Sequence, residues 1–396
     1  MNNPIQTIIG SKKAVFLVFA ISFLLLSSCA SVKVSPLPAG EAAPAVEPEP
    51  STAPAPPVET KKIITISFAG DCTLGGDKER QGYYGQFDWY FNEIAKKDYS
   101  YYLSGVKEIF ENDDYTIVNL EGPLTTSKNI REKGTKAAAV KKGAKSAKKH
   151  PVKSAKSKHR YYNFSGVPEY ALILSSGGVN AVTVANNHSY DYGQKGFDET
   201  LQTLKNLGID YAGYGDYILK EINGVKTGVL SYSQVSRGAA SKDEIKAAIN
   251  NLKELGADAV IVCQHNGVEG SYYPSESQKE LAHFIIDSGA DIYVGHHPHT
   301  LQGIELYNGK YILYSLGNFI FGGNSGPKDT DALIAQIRIE IDGEKKEIAL
   351  KLIPVSISSS KERNDYRPSI LDGDEKKRVL DKINKISKDL KFEYKE

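Results

Sequence analysis

The sequence predicts an α/β fold, and three observations predict it. Short β-branched runs recur along the chain and each ends in polar residues. Segments of helical period separate them, so strand and helix alternate. A later stretch carries hairpin turns and no helical period, which adds an antiparallel part to the sheet structure.

Taken in order, the N-terminus is a targeting signal rather than a fold element. "SKKAVFLVFAISFLLLSSC" has two lysines, an apolar run and small residues ending at Cys29. The ending "LSSC" resembles a bacterial lipobox, which makes Cys29 the lipid attachment site and residues 1–29 a lipoprotein signal peptide. An uncleaved membrane anchor is the competing reading, but the run 14–26 is short for a bilayer. Either way the rest is expected outside the cytoplasm, membrane-anchored. Residues 30–60 are rich in Pro and Ala and read as an extended spacer.

The globular domain is expected over 61–356. Its strands are "KKIITISFAGD", "DYTIVNLEGP", "GVNAVTVANNH", "KTGVLSYS", "GADAVIVCQHNG" and "GADIYVGHHPH". Helices are expected at 169–176, 196–207, 241–255 and 275–288, each stopped near a glycine. From "GIELYNGKYILYSLGNFIFG" to "ALIAQIRIEIDGEKKEIALKLIPVSI" the turns "YNGK" and "IDGEK" predict antiparallel hairpins. Residues 357–396 read as a C-terminal surface helix and tail, the helix over 372–390.

The formal net charge of +1 hides an asymmetry. Residues 128–160 hold thirteen Lys or Arg against one acid, Glu132, which leaves the remainder acidic. This insert has low complexity and no apolar period, and is expected to be disordered. It is either a solvated loop extension or an electrostatic arm for a polyanion such as an envelope polymer. Export disfavours nucleic acid, and the insert has no aromatic residue for base stacking. Apart from Cys29 the cysteines are Cys72 and Cys263, expected as buried free thiols.

The chemistry lies at the strand ends, where loops of an α/β sheet converge on ligands. Residues ending or following the apolar runs are Asp71, then Asn119 and Glu121, then Asn186, Asn187, His188 and Asp191. Later runs add His265, Asn266 and Glu269, then His296, His297 and His299. Carboxylates, amides and imidazoles in this mixture suit a divalent first-row ion: manganese, zinc or iron, as one or two ions. Glu121 is placed to bridge two ions. Strand alternation would turn His297 and His299 to one side and His296 away, as a supporting residue. Asn119, Asn186 and Glu269 are expected to meet substrate. "GDCTLGGD" lacks the lysine of a phosphate loop, and "YSLGNF" has no nucleophile elbow around its serine.

These motifs carry a resemblance. "FAGDCTLGG", "VNLEGPLT", "VTVANNHSYDYGQKGFDET", "VIVCQHNGVE" and "GADIYVGHHPHTLQGIELYNGKYILYSLGNFIF" resemble, in order, the CapA family of poly-γ-glutamate capsule proteins, within the calcineurin-like metallophosphoesterase superfamily. The resemblance implies a metallophosphoesterase-like four-layer sandwich, two mixed β-sheets flanked by helices. By similarity the metal ligands are Asp71, Glu121, Asn187, His265, His297 and His299. His188 matches a general acid, and Asp191 is placed to orient it. Thr73 stands where the superfamily's first motif has a histidine, and Asn266 where relatives tend to have tryptophan.

The function expected is in capsule, poly-γ-glutamate or related envelope-polymer biosynthesis, through a metal-dependent hydrolase site of phosphoesterase type. The alternative is a non-catalytic subunit with a structural metal, which binds or assembles the polymer. Amide hydrolysis of the polymer itself is a third reading. Expected partners are the membrane through the N-terminal lipid, an anionic envelope polymer such as poly-γ-glutamate, and capsule synthase subunits.

Overall fold

The computed structural model describes residues 61–130, 162–236 and 239–395. The signal segment with Cys29, the spacer and all but the first three residues of the basic insert lie outside the described residues. No helix among the described residues is long and apolar enough to cross a membrane.

All six apolar runs form strands, and they divide between two sheets. The eight-stranded sheet has the order Ser369–Ile370, Lys345–Ser356, Asp331–Asp342, Lys62–Thr73, Tyr115–Leu120, Ala181–Thr183, Asp210–Ala212, and Asn318–Phe321 also pairs with Lys62–Thr73. The six-stranded sheet has the order Ile304–Tyr307, Lys310–Leu313, Ile292–His296, Ala259–His265, Val225–Ser233, Ile218–Ile222.

Side-chain alternation sets the layers. In Ala259–His265, Ala259, Ile261 and Cys263 point into the core between the sheets, while Val260 and Val262 point outward beneath helices. The outward set packs on Ile245, Ile249 and Leu252 of helix Lys242–Glu254 and on Leu281, Ala282 and Ile285 of helix Glu276–Asp287. On the other sheet, Val118, Leu120 and Val182 pack on Leu174 and Leu204 from helices Ala171–Ser176 and Gly193–Asn206. The result is the four-layer sandwich that the resemblance implies. Cys72 and Cys263 are buried free thiols.

Local signals account for the helix starts. Ser241 with Glu244 and Ser275 with Gln278 form reciprocal capping boxes, each cap contributing about 1 kcal/mol. In the "YNGK" turn Asn308 and Gly309 have φ of 51° and 73°, the pair of positive angles that matches the twist of a two-residue hairpin.

The second half departs from the antiparallel expectation. Lys310–Leu313 pairs parallel with Ile292–His296, and Asn318–Phe321 pairs parallel with Lys62–Thr73. Between these strands, residues 314–317 carry the chain from one sheet to the other. The C-terminal segment also does more than cover an edge. Helix Gly373–Ser387 turns Val379, Leu380, Ile383 and Ile386 into the core between the sheets. Tyr366 is wholly buried against Phe87, and its hydroxyl donates to Gly85 O at 3.0 Å.

That helix is fastened by charge. Arg378 donates to both oxygens of Asp331 at 2.8 and 2.6 Å, and Lys382 to Asp331 and Asp329 at 2.9 and 2.7 Å. Burial would raise the Asp331 carboxyl, but bonds from Arg378 and Lys382 outweigh it and hold it below the usual range. A depressed carboxyl stabilises the fold above the ordinary carboxylate range, and that contribution is lost as pH falls through the folded-state value. Asp331→Asn is therefore expected to lower unfolding free energy by about 1–3 kcal/mol at neutral pH. The gap from wild type should narrow as urea titrations are repeated toward pH 3, and a gap independent of pH would refute the ionic origin.

Candidate metal centre

The two sheets bring their strand ends together because backbone can approach backbone closely there. A Cβ on Gly70 would lie 2.0 Å from Gly317 O, and one on Gly295 would lie 2.1 Å from Tyr314 O. Only glycine lets the 314–317 crossing lie against both strands. Asp71 N then donates to Gly317 O at 3.0 Å, and Asp71 sits in register with Asn318.

Asp71 and Glu121 are both fully buried. Asp71 accepts from Asn119 Nδ2 at 2.8 Å, and His299 Nδ1 and His296 Nδ1 lie 3.1 and 3.3 Å from its oxygens. Burial alone would raise its carboxyl, but the His296 and His299 imidazoles outweigh burial and hold it well below the usual range. Glu121 Oε1 faces Nε2 of His299, His265 and His188 at 3.7, 3.8 and 3.9 Å. These separations exceed a hydrogen bond, and both Glu121 oxygens are without a hydrogen-bond partner. Burial pushes this carboxyl up to about 7.

His265 Nε2 lies 2.7 Å from Asn187 Oδ1 and 3.1 Å from His297 Nδ1. Burial drives His265 well below the imidazole range, and burial with the charge of His299 pushes His297 down to about 4. Both are neutral at pH 7, the form that ligates a metal. Burial disfavours charge on His299, yet Glu121 and Asp71 hold it up to about 9. His188 Nδ1 lies 2.7 Å from Asp191 Oδ2, which also accepts from Phe164 N at 2.8 Å. Burial would lower His188, but the Asp191 bond raises it above its ordinary value.

The orphaned Glu121 carboxylate tests whether this set fits a cation. A buried, unpaired carboxylate costs on the order of several kcal/mol, and such groups in native proteins pair with a cation or a metal. A Glu121 oxygen held 3.7–3.9 Å from three imidazole nitrogens, farther than a hydrogen bond, meets that requirement. The ligating atoms of Asp71, Glu121 and His265 lie within 4.8 Å of one another, as do those of Glu269, His297 and His299. The residues fit a divalent ion held by mixed oxygen and nitrogen donors.

Two expectations differ from the structure. The strand ends at His296, and His297 and His299 have φ of 99° and 58°. Alternation therefore stops, and His296 turns onto Asp71 rather than away. Asn119 and Asn186, expected to meet substrate, are only 1% exposed. Asn119 Oδ1 accepts from Thr183 and Asn186 at 3.2 and 3.3 Å, and Asn186 Nδ2 also donates to Leu120 O at 2.8 Å. Their amides are spent on positioning Asp71 and the turn that carries Asn187. Glu269 is exposed, with its carboxylate within 4.8 Å of ligating atoms of His297 and His299.

Sequence reasoning passed over Asn318, Phe164 and Phe321. Asn318 Oδ1 meets His299 Nδ1 at 3.0 Å, and it stands in the "YSLGNF" motif considered only for its serine. Phe164 packs on His188 with centroids 4.3 Å apart, and Phe321 on His299 at 4.7 Å. Nothing in their local sequence marks them as pocket walls.

The family described as bacterial capsule synthesis protein PGA_cap matches residues 65–323. The PGA biosynthesis protein CapA of Bacillus subtilis (strain 168) is 29% identical over 353 residues, 84% of this chain and 80% of the relative. The capsule biosynthesis protein CapA of Bacillus anthracis is 29% identical over 317 residues, 74% of this chain and 67% of the relative. A probable polyglutamine synthesis accessory protein of Mycobacterium tuberculosis (strain ATCC 25618 / H37Rv) is 25% identical over 228 residues, 48% of this chain and 59% of the relative. Among solved structures, a hypothetical protein from Thermus thermophilus aligns with a TM-score of 0.41 and 14% identity, over 74% of this chain and 99% of that chain.

The burial of Glu121 generates a stability prediction. With metal chelated, Glu121→Gln removes a buried carboxyl that has no hydrogen bond while keeping shape, and is expected to stabilise by about 1–3 kcal/mol. On adding Mn(II), wild type should gain melting temperature and the variant little. A variant that melts lower than wild type in chelator would show that Glu121 is not a strained ligand.

Proposed function

The chain belongs to the family of bacterial capsule synthesis proteins, and from that premise we propose an exported, lipid-anchored protein that serves the making of poly-γ-glutamate or a related envelope polymer through a metal-dependent, phosphoesterase-type hydrolase site. The observation that carries the hydrolase reading is His188. An ion held only for structure needs donors, and His188 adds a positioned acid beside them.

Asp71, Glu121, Asn187, His265, His297 and His299 would hold manganese, zinc or iron. Such an ion supplies Lewis acidity and makes water acidic enough to attack at neutral pH. The rest is done by the chain's own groups. Asp191 accepts only, so the proton on His188 Nδ1 stays on that side and Nε2 faces the space beside Glu121. A protonated Nε2 donates to the leaving oxygen of a substrate lodged there. Phe164 and Phe321 close one wall and exclude water, which strengthens the electrostatics within. Asp191 is fixed by Phe164 N, so acid and wall are set by one strand.

The polymer is inferred from the relatives, whose names carry PGA, capsule and polyglutamine synthesis. Synthase subunits are the partners this implies. The lipobox-like Cys29 supports the anchor, and the thirteen basic residues of 128–160 support contact with a polyanion. A second reading, a non-catalytic polymer-binding or assembly subunit with a structural metal, is favoured by the word accessory in the mycobacterial relative's name.

Elemental analysis of the full-length chain in detergent is expected to find manganese, zinc or iron. Turnover of a generic phosphodiester or monoester should fall about 10²–10⁴-fold in His188→Ala, with metal content unchanged. Metal without turnover on any phosphoester or on poly-γ-glutamate would transfer support to the assembly reading. Deletion of 128–160 is expected to weaken retention on an anionic polymer at low salt and to matter little at high salt. Equal retention at low salt would remove the polyanion role from the insert.

A further inference from the structure

We infer that the opening of the pocket is a lipid-facing surface, and that the substrate it admits is an amphiphilic phosphoester whose apolar chain stays in a membrane. The substrate class rests on the hydrolase reading of the site, whereas the lipid contact does not.

Four exposed apolar side chains, Tyr162, Tyr214, Val235 and Val268, stand around the site. Tyr162 stacks on Phe164 with centroids 6.0 Å apart, and Phe164 packs in turn on His188. Tyr214 follows strand Asp210–Ala212, and its hydroxyl donates to Asn186 O at 2.9 Å, beside Asn187. Val235 comes just after Ser233, which is in register with His265. Val268, 60% exposed, lies on the loop after His265 and next to Glu269, whose carboxylate is within 4.8 Å of ligating atoms of His297 and His299.

A single exposed valine is ordinary on a protein surface, but here the backbone holds two of them out at one opening. Gln234 N donates to His265 O and Ser236 N to Ser233 Oγ, both at 3.1 Å, which pins the chain on both sides of Val235. Asn266 N donates to His296 O at 3.0 Å and Gly270 N to Pro298 O at 2.8 Å, which does the same for Val268. Neither side chain is left to fold back on the protein. Apolar groups kept in water around an opening mark a surface that meets something apolar.

Charge decides what that is. Lys78 Nζ donates to Lys128 O at 3.3 Å and Lys78 N to Asn163 O at 3.1 Å, so one residue ties both flanks of the basic stretch beside Phe164. The thirteen Lys and Arg of 128–160 are therefore rooted at the same opening as the apolar side chains. An anionic membrane offers headgroups to the first and acyl chains to the second, while a soluble polyanion answers only the first. Tyrosine suits the boundary between the two, with an apolar ring and a polar tip. A phosphoester headgroup can then reach His188 while its chain remains at the valines.

The test uses the full-length chain reconstituted in phosphatidylglycerol vesicles, with tryptophan as a depth probe against the single native Trp89. In Val268→Trp, lipids brominated on the acyl chain are expected to quench the added fluorescence. In Leu255→Trp they should not, because Leu255 is exposed near the other end of strand Ala259–His265. Equal quenching at the two positions, or none at either, would overturn the lipid-facing surface. Turnover is then compared for ethyl and dodecyl phosphate, and for their para-nitrophenyl diesters, in the same vesicles. The dodecyl esters should be preferred in kcat/KM by about tenfold or more, and Val235→Ser with Val268→Ser should shrink that ratio. Equal kcat/KM for the two chain lengths would overturn the amphiphilic substrate. Quenching at Val268→Trp with no turnover of any ester would overturn the hydrolase reading, and the substrate class with it, while supporting the lipid contact.

Discussion

Two fully buried carboxylates, Asp71 and Glu121, lie at the ends of adjacent parallel strands, with Glu121 N bonded to Cys72 O at 2.8 Å. Removing either from water costs on the order of several kcal/mol unless its charge is answered. The chain answers Asp71 with its own groups: Asn119, His296 and His299. It gives Glu121 no hydrogen bond, facing three imidazole nitrogens at 3.7–3.9 Å. A frame able to hold such a group must be stiff, and the four layers supply that stiffness through cores on both faces of both sheets. The glycine contacts at Gly70 and Gly295 then bring the sheet ends near enough for one pocket to draw on both.

Much of this is legible in the sequence because a short apolar run with a polar end declares both a buried strand and its terminus. Asp71, Glu121, His265 and the histidines of "VGHHPHT" could be grouped on that ground. What local pattern could not give is backbone direction after the strand stops. His297 and His299 adopt positive φ without being glycine, a choice imposed by the fold and not by residue type. The amides divide for a similar reason. Asn119, Asn186 and Asn187 all stand at strand ends, and only the packing of Leu120, Thr183 and Ser189 decides which amides serve the framework. The C-terminal helix reads as a surface element because its charges outnumber the stripe of Val379, Leu380, Ile383 and Ile386, which the 3.6-residue period nonetheless places on one side.

The ligand set also explains why stability and function are opposed at this place. Two non-glycine residues in the left-handed region cost of order 1–3 kcal/mol each, and they adjoin the orphaned Glu121. The core between the sheets has to supply the surplus that tolerates them. A cation would return part of it, since binding at a hundred times the dissociation constant stabilises by about 2.7 kcal/mol.

Ligands from both sheets give such an ion a further consequence. Asp71 lies near the end of one strand of the eight-stranded sheet and Glu121 and Asn187 follow two others, while His265, His297 and His299 end or follow strands of the six-stranded one. An ion bound among them would clasp the two sheets at their shared edge, so it would stabilise the protein whether or not it takes part in a reaction. Metal content and metal-dependent melting therefore cannot separate an enzyme from an assembly subunit. His188 bears on that distinction, because its ring is held by Asp191 and Phe164 and its Nε2, 3.9 Å from Glu121 Oε1, makes no hydrogen bond. A side chain kept in place by two others, with its free nitrogen turned toward the ligands, is what a proton donor requires and what a clasp does not.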